Sequence, residues 1–173
     1  GESRAAASQA VLGAWRPLLL WPALVMGGTV ALSMAWRVGL WLSYRPAVAP
    51  GRDAPGLPDL TVVIPAFNEG AAVRWAISSV LGSDYPAERL HLIVVDDGSQ
   101  DDTWEHIRAA TSGDARAEAI RLERNRGKRH ALYAGLSRVR TPIVVTVDSD
   151  TELPAGTLRA LVAPLLRDAG VGA

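Results

Sequence analysis

Two carboxylates stand two residues apart in Asp148-Ser149-Asp150, directly after the apolar stretch from Pro142 to Val147. Turned to one side, they offer hard oxygen ligands of the kind that magnesium and manganese take. The plainer alternative is that Asp150 opens a turn or caps a helix from about Pro154, common work for aspartate. Three further polar clusters also follow apolar stretches: Pro65-Ala66-Phe67-Asn68-Glu69, Asp96-Asp97-Gly98-Ser99 and Asn125-Arg126-Gly127-Lys128-Arg129. If the four converge, Glu69, Asp97, Asp148 and Asp150 crowd one crevice. Like charges about 4 Å apart cost on the order of 4 kcal/mol at an effective dielectric of about 20. An anionic ligand such as a diphosphate then requires a cation beside it. Lys128 and Arg129 add fixed positive charge at the start of a helix, whose dipole also favours phosphate. For those two, together with Arg121, Arg124 and Arg126, the alternative is a solvated basic face or a weak nucleic-acid patch.

Other chemistries fail on inventory. The absence of cysteine removes disulfides, thiolate metal sites and cysteine nucleophiles. No Gly-x-x-x-x-Gly-Lys-Ser/Thr phosphate loop, no Gly-x-Gly-x-x-Gly after the first strand and no Gly-x-Ser-x-Gly elbow is present. His91, His106 and His130 are scattered, and surface or core packing accounts for each. The 18 basic side chains balance 18 acidic ones, so no global field favours nucleic acid. No aromatic residues interleave with the basic cluster to stack bases.

The elements that must position these clusters alternate in type. Leu60 to Ile64, Leu90 to Val95, the poorer Ala117 to Leu122 and Pro142 to Val147 read as strands. Between and after them, helical spacing appears in Val73, Ala76, Ile77, Val80 and Leu81, and in Trp104 and Ile107. It recurs in Ala131, Leu132, Gly135, Leu136 and Val139, and in Leu158, Leu161, Val162, Leu165 and Leu166. Strands one, two and four are continuously apolar, which predicts that helices cover both of their faces. Such alternation implies a parallel sheet sandwiched by helices, with ligands beyond the carboxyl ends of the strands. Every polar cluster falls at such an end.

The first fifty residues differ in kind. From Pro17 to Trp36 no residue is charged, and as a helix that run is about 30 Å long, the thickness of a bilayer's hydrocarbon core. Trp15 and Trp21 flank one end and Trp36 and Trp41 the other, as in an aromatic belt. A cleaved signal peptide competes, since Ala47-Val48-Ala49 resembles a cleavage site. The apolar run exceeds the usual core of about 7–15 residues, however, and Pro50 follows directly. A buried core helix rarely stays uncharged on every face for so long. Arg37, Arg45 and Arg52 follow the span while Arg4 and Arg16 precede it, which leans towards a cytoplasmic C-terminal side. The expected organisation is an N-terminal segment over 1–16, a membrane helix over 17–42, a proline-rich linker over 43–58 and an α/β unit over 59–173.

The series Val63-Ile64-Pro65-Ala66-Phe67-Asn68-Glu69, then Val95-Asp96-Asp97-Gly98-Ser99-x-Asp101, resembles the opening of family-2 inverting glycosyltransferases of the GT-A fold. Asn125-x-Gly127-Lys128-Arg129-x-Ala131 and Asp148-Ser149-Asp150-Thr151 look like the processive branch that contains hyaluronan synthases and the chitin-oligosaccharide synthases of nodulation. The resemblance covers about residues 60–155. It implies a Rossmann-like GT-A parallel-sheet sandwich, incomplete here and preceded by one transmembrane helix.

The resemblance also implies roles. Pro65 belongs to the donor site, and Ala66, Glu69 and Asp97 line a uridine pocket in which Asp97 contacts the base. Lys128 reaches the nucleotide near its diphosphate. Asp148 lies near the ribose and beside the metal, and Asp150 ligates magnesium or manganese. Such a protein takes a UDP-sugar, passes the sugar to a saccharide or lipid-linked acceptor, and sits in the cell membrane with its catalytic part cytoplasmic. A single-transfer enzyme acting on a lipid carrier and a noncatalytic nucleotide-binding membrane domain are the alternatives. Members of the branch continue into an acceptor-binding half with the general base, a Gln-x-x-Arg-Trp segment and further membrane helices. This chain begins at Gly1 and stops at Ala173, so both ends read as cuts. Alone, it is expected to bind donor poorly and to catalyse nothing.

Overall fold

The computed structural model describes residues 2–44, 49–51 and 56–167, with side chains from residue 21 onward. The chain divides into two units, residues 1–46 and 47–173, and each is treated by itself.

The first unit is one helix, α1, from Glu2 to Ser43. It starts fifteen residues before the expected Pro17, because Ala5, Ala6, Ala7, Gln9, Ala10 and Leu12 are strong helix formers. Within it, Trp21–Ser43 is long and apolar enough to cross a membrane. Its large apolar side chains, Leu24, Met26, Leu32, Trp36 and Trp41 among them, are exposed all round. Of the linker expected over 43–58, residues 45–48 and 52–55 lie outside the described residues. Part of the possible cleavage site, Ala47 and Val48, falls there too.

The second unit carries four strands: β1 (Leu60–Ala66), β2 (Leu90–Asp96), β3 (Ala117–Arg121) and β4 (Ile143–Thr146). Helices α2 (Val73–Leu81), α3 (Thr103–Thr111), α4 (Lys128–Leu136) and α5 (Thr157–Arg167) alternate with them. All pairings are parallel, in the order β3-β2-β1-β4. Parallel crossovers are right-handed, so reversing the direction of travel moves the connecting helix to the other face. The steps β1 to β2 and β2 to β3 put α2 and α3 on one face, where α5 joins them. Val62, Ile64, Leu92 and Val94 pack there against Ile77, Ile107, Leu158 and Val162. The long step from β3 across to β4 puts α4 on the opposite face, over Val63, Ile93 and Val95. Gly135 lets α4 lie close: a Cβ there would stand 2.5 Å from Cγ1 of Val63 and 3.2 Å from Cγ2 of Val95.

One expectation needs correction. β1 and β2 are buried on both faces, but β4 alternates, and its Val144 is 42% exposed. β4 is an edge strand, and α4 sits over β1 and β2, so no element among the described residues covers Val144. Continuous apolarity therefore overstated burial at this strand. The last helix also starts later than expected, at Thr157 rather than near Pro154. The segment between is a turn in which the Thr157 amide donates to the Pro154 carbonyl at 2.9 Å, and the Ala155 carbonyl accepts the Asp84 amide at 3.1 Å.

Candidate functional site

The strand order reverses between β1 and β4, and a crevice of about 320 Å3 opens at the carboxyl ends of those strands. Pro65, Ala66, Phe67 and Glu69 line it from β1, and Asp97 lines it from β2. Asn125, Gly127 and Lys128 come from the turn into α4, and Asp148, Ser149 and Asp150 follow β4. All seven residues singled out in the sequence, Pro65, Ala66, Glu69, Asp97, Lys128, Asp148 and Asp150, thus meet in one place. Arg129 does not: its side chain is exposed and absent from the lining, because one step along a helix turns it about 100° away from Lys128.

The loops are tied to one another before any ligand arrives. After β1, Asn68 takes a left-handed backbone (φ 52°), a conformation that asparagine tolerates. Its amide donates to Ser99 Oγ at 2.9 Å, and its Oδ1 accepts the Gln100 amide at 3.0 Å. The Glu69 and Gly70 amides both donate to Thr103 Oγ1, at 2.9 and 2.8 Å. Thr103 in turn donates its hydroxyl to Asp101, and that bond holds the Asp101 carboxyl below its ordinary value. The first two loops therefore form one body.

β2 ends in two buried aspartates with separate tasks. Oδ1 of Asp96 accepts the Ser99 amide at 3.0 Å, and its Oδ2 lies 3.3 Å from Nε of Arg121. Arg121 stacks over the Trp104 ring at 5.6 Å, so it is part of the scaffold and not of a free basic face. Asp97 accepts the amides of Arg126 at 3.1 Å and Gly127 at 2.7 Å. Gly98 makes this approach possible. Its φ is 70°, and a Cβ would stand 2.6 Å from the Arg124 carbonyl carbon, which no side chain can tolerate.

On the β4 side, Lys128 Nζ donates to Asp148 Oδ1 at 2.6 Å. Ser149 is buried, and its hydroxyl donates to Glu69 Oε1 at 2.9 Å, linking the ends of β4 and β1. The sequence reading assigned Ser149 no task; its signal was a hydroxyl residue between two carboxylates. Asp150 sits in the turn closed by the Thr151 amide and the Asp148 carbonyl at 3.1 Å. It does not cap α5, which starts seven residues later. Its carboxylate is exposed, and no basic partner pairs with it among the described residues.

The donor set fits a divalent ion only in part. Among the described residues, no three carboxylates or imidazoles stand close enough to hold a metal alone. Magnesium is commonly held by one or two carboxylates together with substrate phosphates, and Asp150 with Asp148 matches that pattern.

The sequence model for glycosyl transferase family 2 matches residues 61–172. The chain belongs to glycosyl transferase family 2. An N-acetylglucosaminyltransferase of Rhizobium meliloti (strain 1021) is 39% identical over 132 residues, covering 74% of this chain and 30% of that protein. An undecaprenyl-phosphate 4-deoxy-4-formamido-L-arabinose transferase of Shewanella sediminis (strain HAW-EB3) is 34% identical over 106 residues, covering 60% of this chain and 32% of that protein. The chain thus spans about a third of the length of these two relatives. Among solved structures, the mannosyltransferase PcManGT from Pyrobaculum calidifontis, in complex with GDP-Man and Mn2+, superimposes with a TM-score of 0.66 at 33% identity. That match covers 78% of this chain and 39% of the other. TarS of S. aureus (residues 1–349), in complex with UDP-GlcNAc, gives 0.56 at 25% identity, covering 63% and 31%. The parallel sheet with its α4 crossover is the GT-A fold of this family.

Proposed function

We propose that the intact protein is a membrane-anchored, inverting glycosyltransferase that takes N-acetylglucosamine from UDP-N-acetylglucosamine and adds it to a growing polysaccharide. The convergence of Asp97, Lys128, Asp148 and Asp150 on one crevice carries this reading. The names of the R. meliloti relative and of the S. aureus complex support the sugar and the nucleotide.

In this reading Pro65, Ala66 and Glu69 form the wall against the uridine, and Asp97 faces the base while holding the Arg126–Gly127 amides. Lys128 leaves Asp148 to meet the diphosphate, bringing fixed positive charge to the oxygen that accumulates negative charge as the sugar departs. Asp148 then faces the ribose. Asp150, with Asp148, holds a magnesium or manganese ion, which supplies further positive charge against the leaving diphosphate. Ser149 keeps Glu69 in position through its hydroxyl. The general base belongs to the acceptor-binding part of the intact enzyme, and α1 anchors the protein in the cell membrane with the α/β unit on the cytoplasmic side.

A second reading is a single transfer to a lipid carrier, favoured by the undecaprenyl-phosphate substrate in the name of the S. sediminis relative. The test is to incubate membranes carrying the intact enzyme with radiolabelled UDP-N-acetylglucosamine and manganese, and to size the products. A ladder of oligosaccharides is expected. One organic-extractable product carrying a single sugar would favour the lipid carrier, and UDP binding without any product would mark a noncatalytic nucleotide-binding domain.

A further inference from the structure

The chain as a whole is neutral, yet from residue 124 to residue 147 there is no aspartate or glutamate. That stretch holds Arg124, Arg126, Lys128, Arg129, Arg138 and Arg140. Lys128 and Arg138 are neutralised by Asp148 and Glu118. The other four side chains are exposed and form no ion pair among the described residues. On α4, Ala131 and Gly135 face the sheet. Arg129, Tyr133 and Leu136 recur at the spacing of one helical face, turned away from it. Tyr133 is 71% and Leu136 41% exposed. That face joins one unpaired arginine, Arg129, to an uncovered ring and an aliphatic side chain, with Arg124 and Arg126 in the turn before α4 and Arg140 after its end, a composition suited to a headgroup layer. Arginine meets phosphate, tyrosine sits at the interface, and leucine enters the acyl boundary.

We propose that the outer face of α4, with the arginines that flank it, docks on the anionic phospholipid headgroups of the bilayer that α1 spans. This rests on the reading of α1 as a membrane span. Charge complementarity selects the partner: each basic side chain brought to an anionic leaflet strengthens attraction about fivefold, an effect that salt removes. Tethering makes so small a patch sufficient. The chain from Tyr44 to Leu57, which is buried in the α/β core, can reach at most about 47 Å when fully extended, which keeps the local headgroup concentration high. Docking would hold the start of α4, and with it Lys128 and the crevice rim, at the membrane surface where a membrane-bound acceptor is met.

The test places the chain in vesicles of phosphatidylcholine alone or of phosphatidylcholine mixed with phosphatidylglycerol. Flotation measures insertion of α1, and hydrogen exchange of peptides from α4 measures docking. Flotation is expected with both lipids, with α4 exchange slowed severalfold only in the anionic vesicles and restored by high salt. Arg124→Glu with Arg129→Glu and Arg140→Glu should abolish the slowing while flotation persists. Tyr133→Ser, at a solvent-facing position that leaves the core intact, should reduce it. Flotation with equal α4 exchange in both lipids would overturn the docking and leave the span standing. Failure to float would overturn both. Slowing by duplex DNA or polyglutamate but not by anionic vesicles would assign the face to another partner and also overturn the proposal.

Discussion

The Asp97 carboxylate accepts the Gly127 amide at 2.7 Å, which joins the end of β2 to the entry of α4. The Arg126 amide adds a second bond at 3.1 Å, and the aspartate is only 2% exposed, so these bonds replace water rather than compete with it. An aspartate that lines the crevice thereby also fixes the loop presenting Lys128. Asp97→Asn keeps one oxygen but sets an NH2 group against the loop amides. A stability loss of about 1–3 kcal/mol is expected, together with weaker UDP binding. Urea denaturation and calorimetric UDP titration of the same variant check it; an unchanged urea midpoint would contradict the fastening role.

Lys128 and Asp148 form an ion pair of a different kind. Their side chains are 60% and 61% exposed, so the pair contributes at most about 1 kcal/mol to folding. Lys128→Gln should leave the urea midpoint nearly unchanged, yet weaken UDP binding roughly tenfold or more through the lost charged hydrogen bond. Equal UDP affinity in variant and wild type would reduce Lys128 to a surface charge.

Gly135 tests the packing beneath the site. An added methyl would meet Cγ1 of Val63 at 2.5 Å, in the middle of a buried strand. Gly135→Ala should destabilise the α/β unit by about 1–3 kcal/mol, despite alanine's higher helix propensity. A higher melting temperature would show that α4 sits less tightly than described.

The Thr103 hydroxyl holds the Asp101 carboxyl below its ordinary 3.8. Because folding lowers this pKa, the ionised carboxylate stabilises the fold above the ordinary value. That contribution is lost as pH falls through the lowered folded value. The difference in urea midpoint between wild type and Asp101→Asn should therefore be largest near neutral pH and shrink in acid. A difference independent of pH would mean that the charge of Asp101 does not hold the first two loops together.

The sheet and its site were legible because strand ends and polar clusters coincide in the chain. Each buried run, such as Leu90 to Val95, hands over directly to crevice-lining residues, so period and position carry the same message. What was missed depends on geometry that spacing does not encode. That β4 is an edge strand with Val144 open follows from strand order, which Ile143–Thr146 alone does not reveal. Arg121 looked like one more member of a basic cluster, but its contacts are Asp96 and Trp104, far apart in sequence. Ser149 reaches Glu69 across eighty positions, and the Asp97 bonds run to backbone amides, which every residue but proline possesses.

In the proposed reaction Asp150 completes a divalent-metal site against the donor diphosphate. Its exposed carboxylate has no basic partner among the described residues, and no group of three metal-ligating side chains gathers around it among them. Asp150→Asn keeps the shape of the turn and removes the charge. The measurement is sugar transfer from UDP-N-acetylglucosamine by the intact enzyme against manganese concentration, for wild type and Asp150→Asn. The variant is expected to lose about a thousandfold or more in rate, and the wild type to lose its activity to a chelator. Near-normal, chelator-insensitive transfer by Asp150→Asn would leave Asp150 a turn residue and contradict the metal site.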